Sequence, residues 1–127
     1  MLNYVLVITS IGFSIPAIFI PTEFTSLLFF QSAVSILFWL NPAFNRNKII
    51  HKIDSTMART TIMIFIYNTY DNVWFDTSTI IMLWFFYLSN CYSSKNWLSR
   101  PHLISHILGH LFAINSIYIA LKSQSSF

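Results

Sequence analysis

The chain has 127 residues, 55% of them hydrophobic, 18% aromatic and only 9% charged, with a mean hydropathy of +0.61. A soluble domain carries about 25% charged residues, so this composition cannot cover a water-facing surface, and a formal net charge of +3 is too small and scattered for a nucleic-acid partner. Two glycines and one cysteine, Cys91, exclude Gly-rich phosphate loops, an intrachain disulfide and a cysteine-built zinc knuckle.

What remains is an all-α, polytopic integral membrane bundle folded as one domain, with the lipid bilayer as its first partner. A helix needs roughly 20 mostly apolar residues to cross the hydrocarbon core. The first span is expected over 4–20, kinked at Pro16 and ended by Pro21. The second, 24–40, stops at Asn41-Pro42. The third, 51–70, is apolar only in its second half, because His51, Lys52, Asp54 and Arg59 crowd its first. It either crosses with those groups facing the bundle or begins as an amphipathic surface helix, which would leave four spans. The fourth is the aromatic-rich stretch 77–92. The fifth, 100–121, starts with Ser99 as cap and Pro101 in its first turn.

Charge favours five spans with the N-terminus in the cytoplasm and the C-terminus on the opposite side. Arg46 and Lys48 then lie in one inner loop, and Lys95 and Arg100 in the other. The outer connections hold Glu23, Asp71 and Asp76, and Lys122 is the one basic exception. Basic residues in short loops set orientation. The identity of the membrane is not written in the sequence.

That topology draws distant polar residues to one depth. The third and fifth spans both run outward, and the fourth ends inward, so His51, Asp54, Asn90, His102 and His106 are expected near the cytoplasmic side. On the last helix His102, His106 and His110 recur every four residues. At about 100° per residue, Gly109 and Ala113 share their face. This small-xxx-small pair admits a close neighbour, so the imidazoles should point at protein. Arg59 falls near mid-depth of the third span and requires a partner or water.

Ranked first is a non-catalytic role as a structural or accessory subunit of a membrane complex, with the histidines as interhelical glue and other subunits, or a second copy, as partners. The chemical alternative is a zinc-dependent membrane hydrolase acting on a lipid. In it, His51, His106 and His110 ligate the metal, since histidines four apart on a helix supply two ligands from one face. Asp54, Arg59, His102 and Asn90 would then serve as supporting or relay groups. A proton or ion path along the His and Asp residues is a third reading. Haem is disfavoured, because His106 and His110 share one face and cannot clamp an iron from opposite sides.

Overall fold

The structure is a computed structural model and describes residues 2–125. Among these residues the chain forms seven helices and no strand. The helices are α1 Leu2–Ile11, α2 Ile15–Phe19, α3 Thr25–Leu40, α4 Pro42–Asn45, α5 Ile49–Thr69, α6 Val73–Lys95 and α7 Arg100–Ser125.

The first apolar segment breaks at residues 12–14, one turn before the expected kink. Pro16 has no N–H to offer the preceding turn. The chain closes instead through Phe13 N–H to Ser10 O at 3.3 Å and Ser14 N–H to Ile11 O at 3.1 Å. Gly12 sits in this break against α7, where a Cβ would run into Ile114.

Asn41 ends α3, and its side chain accepts the Phe44 N–H of α4 at 3.4 Å. Helix α6 starts four residues before the expected fourth span. The Asn72 carboxamide accepts the N–H groups of Trp74 and Phe75 at 3.0 and 3.1 Å. Asp76 lies in this first turn, where the helix dipole favours an acid. An apolar-length criterion trims such polar first turns away. Helix α7 opens with Leu103 N–H donating to Ser99 O at 3.0 Å.

Helix α7 runs beside α6 and also touches α1, α2 and α5, while α3 packs between α1 and α5. Helices α5 and α6 are consecutive in the chain yet scarcely meet. The bundle is therefore open along that seam.

Its two ends differ in charge. At one, Arg46 and Lys48 lie between α4 and α5, Lys95 ends α6 and Arg100 begins α7, and the Arg46 guanidinium lies 4.6 Å from the Trp97 ring centre, joining the two connections. The opposite end carries Glu23, Asp71 and Asp76, with Lys122 in the last turn of α7. A cluster of Leu6, Phe38, Trp39 and Leu103 fills the basic end, and one built on Phe13, Leu28, Phe65, Phe75 and Ile117 fills the acidic end.

Polarity runs from inside to outside in reverse of a water-soluble fold. Buried polar residues such as Gln31, Ser35, Thr61, Ser89 and His110 are as frequent as buried apolar ones. Large side chains including Ile8, Phe19, Tyr67, Trp74, Ile80 and Trp84 stand exposed. Leu2–Phe19 and Arg100–Gln124 are long and apolar enough to cross a membrane.

Candidate site: an imidazole-lined cavity

A cavity of about 470 Å³ occupies the bundle between α3, α5, α6 and α7. All four histidines line it, with Asp54, Arg59 and Asn90. Of its lining residues only Arg59, Leu83, Tyr87 and Asn90 are exposed, and these lie on α5 and α6. The seam between those helices is thus its mouth.

Two of the histidines are held by one local device. The backbone N–H of Asn47 donates to His51 Nδ1 at 3.0 Å, and that of Leu98 donates to His102 Nδ1 at 3.1 Å. Asn47 and Leu98 both adopt left-handed backbone, φ 60 and φ 64. Each is the third residue of a turn closed in the same way, Lys48 N–H to Asn45 O at 3.1 Å and Ser99 N–H to Asn96 O at 3.2 Å. NRNKIIH and NWLSRPH therefore fold alike, as an asparagine, a left-handed residue and a histidine that satisfies the N–H freed at a helix start. A left-handed leucine costs on the order of 1 kcal/mol or more, so the backbone is held there by its surroundings. Because each Nδ1 accepts, the neutral ring carries its proton on Nε2.

The other two imidazoles are anchored by hydroxyls. His106 Nδ1 lies 2.9 Å from Ser89 Oγ on α6, and His110 Nδ1 lies 2.9 Å from Thr9 Oγ1 on α1. The rings form a ladder, His102 to His106 at 6.2 Å and His106 to His110 at 4.8 Å between centres. Trp39 flanks it at 4.9 Å from His106, and Phe86 at 5.1 Å. Gly109 permits this packing, since a Cβ there would come within 2.6 Å of the Phe86 ring. Ala113 follows it on the cavity wall. Among the described residues none of the four Nε2 atoms has a hydrogen-bond partner in the protein.

Asp54, on α5, is held against α3. Ser35 Oγ donates to its carboxylate at 2.6 Å and Gln31 Nε2 at 3.4 Å, while Gln31 accepts from Thr61 at 3.4 Å. Arg59 lies about 140° round α5 from Asp54 and has no acidic partner among the described residues.

His51 does not join His106 and His110 as a metal triad would require. Its ring stacks on Phe38 at 4.6 Å and meets Trp97 at 5.7 Å, with Trp97 in turn 4.9 Å from His102. The indole stands between the two histidines, and His51 is turned by its bond to Asn47. Among the described residues no group of three or more His, Cys, Asp or Glu is arranged to hold a metal ion.

Sequence reasoning missed Gln31, Ser35, Ser89 and Thr9 as partners. Isolated hydroxyls and one amide in apolar segments were the available signal, since each needs a partner once buried. Comparison with family models, curated proteins and solved structures finds no match for this chain.

Proposed function

We propose that this chain is a five-span integral membrane protein, with its N-terminus and basic end in the cytoplasm and its C-terminus opposite, serving as a non-catalytic subunit of a membrane assembly. The reversed polarity supports the membrane reading, because lipid solvates exposed Phe, Ile and Trp while interior hydroxyls bond one another across helices. At about 1.5 Å per residue, the 21 and 23 residues of α5 and α6 reach across a bilayer. The gathering of Arg46, Lys48, Lys95 and Arg100 at one end supports that orientation.

The subunit reading rests on one observation. Lys52, Thr56 and Thr60 repeat every four residues on α5 and are all exposed, a polar stripe that hydrocarbon leaves unsatisfied. A neighbouring helix with its own polar groups would satisfy it.

The test has two arms. In a chain with Cys91 replaced by Ser, Lys48→Cys is expected to react with an impermeant maleimide only from the cytoplasmic side, and Asp71→Cys only from the opposite side. Both labelling from one side would remove the five-span topology. After mild solubilisation the chain is expected within a particle larger than a monomer, with Thr56→Trp releasing it. A monomer from the outset would remove the subunit role and leave the topology standing.

A further inference from the structure

We infer that the cavity is a binding site for a single-chain anionic amphiphile, an acyl chain with a carboxylate or phosphate head, which enters between α5 and α6. The inference rests on the membrane reading above but not on the subunit role.

The two halves of the cavity differ in what they leave unsatisfied. Toward the acidic end its polar groups complete one another: Thr79 donates to Ser116 at 3.2 Å, Ser116 to Ser78 at 2.9 Å, and Ser78 to the Phe112 carbonyl at 3.1 Å. The remaining wall there is Phe65, Phe75, Met82 and Ile117, all buried. A hydrocarbon tail fits such a surface and asks nothing polar of it.

Toward the basic end the balance is one of donors without acceptors. His51 and His102 present Nε2–H, as their Nδ1 atoms accept from backbone. His102 is 3% exposed and lines the cavity, and its Nε2 has no protein partner among the described residues, so a buried donor faces the cavity. Arg59 stands at the mouth about 12 Å along α5 from His51, with no acid opposite it among the described residues. An unpaired guanidinium within a bilayer is costly, and a head bearing only acceptors and a negative charge offsets it. Asp54 does not serve, because it lies about 140° round α5 from Arg59 and Ser35 and Gln31 hold it against α3. The basic loops at this end add attraction of the same sign.

The mouth matches the route. Leu83 and Tyr87 flank it on α6 and Arg59 on α5, so a lipid-borne molecule meets an apolar edge and a cation together. A volume of about 470 Å³ lies within the roughly 300–1,000 Å³ of ligand pockets.

The protein carries its own reporter. Trp39 and Trp97 line the cavity, whereas Trp74 and Trp84 are exposed elsewhere, so Trp74→Phe with Trp84→Phe leaves indole emission from the cavity alone. In detergent, dibrominated stearate is expected to quench this emission saturably, and Arg59→Gln is expected to raise the half-saturating concentration about tenfold, with Arg59→Lys restoring much of it. Dibrominated stearyl phosphate tests the other head, and saturable quenching by either acid supports the inference. Dibrominated stearylamine is expected to give no saturable quenching. Equal quenching by the amine, quenching that never saturates, or an unchanged Arg59→Gln variant would overturn it. Competition by inorganic phosphate alone would also overturn it, because the site would then select a free anion without a chain.

Discussion

The two halves of the cavity use the same kinds of side chain for different ends. Near the acidic end, hydroxyls on α6 and α7 close a chain of bonds that leaves no donor over. From the basic end to mid-bundle, each imidazole is fixed through Nδ1 and stops there, with no partner for Nε2 among the described residues. Polar residues that finish their bonding within the bundle are glue. Polar residues held rigid with one group unspent are a site.

Substitutions should separate the halves by size of effect. His102→Ala removes a buried ring, strands the Leu98 N–H and opens space beside Trp39 and Trp97. A loss of about 3 kcal/mol is expected in thermal or denaturant unfolding in detergent. Asn47→Val places a β-branched side chain at φ 60 and should cost about 1–2 kcal/mol, while the same change at the adjacent Lys48, which is extended, should cost little. The acidic half should be the more tolerant. Ser116→Ala is expected to cost only about 0.6 kcal/mol, the average of an interhelical polar bond. Equal losses for His102→Ala and Ser116→Ala would erase the distinction between anchored site and glue.

Much of the fold was open to reading from the chain. Apolar length and the punctuation of Pro21, Asn41-Pro42 and Pro101 marked where helices run. The all-helical class followed from composition. Where expectation and structure part, local polar bonding is the cause: the break at residues 12–14 answers to the missing N–H of Pro16, and the early start of α6 to the Asn72 cap. The histidine stripe on α7 was placed against protein from its wheel alone, and His102 and His110 are buried against α1, α3 and α6. The expected ligand set of His51, His106 and His110 was not legible as such, because equal depth does not make rings converge: His51 stacks on Phe38 and Trp97, and among the described residues no group of three or more His, Cys, Asp or Glu is arranged to hold a metal. The paired N-x5-H turns were present in the sequence, but a spacing of six across a loop has no helical or strand period to draw notice.

Those paired turns give α5 and α7 a common footing. His51 and His102 both rest on Trp97, and Arg46 from the first turn caps the indole of the second. The two helices are therefore keyed together where they begin, while α5 and α6, joined only through the tip at residues 70–72, lack any such lock along their length. Pinned at this foot and bonded to α3 through Asp54 and Thr61, α5 leaves the bundle its open side, toward α6.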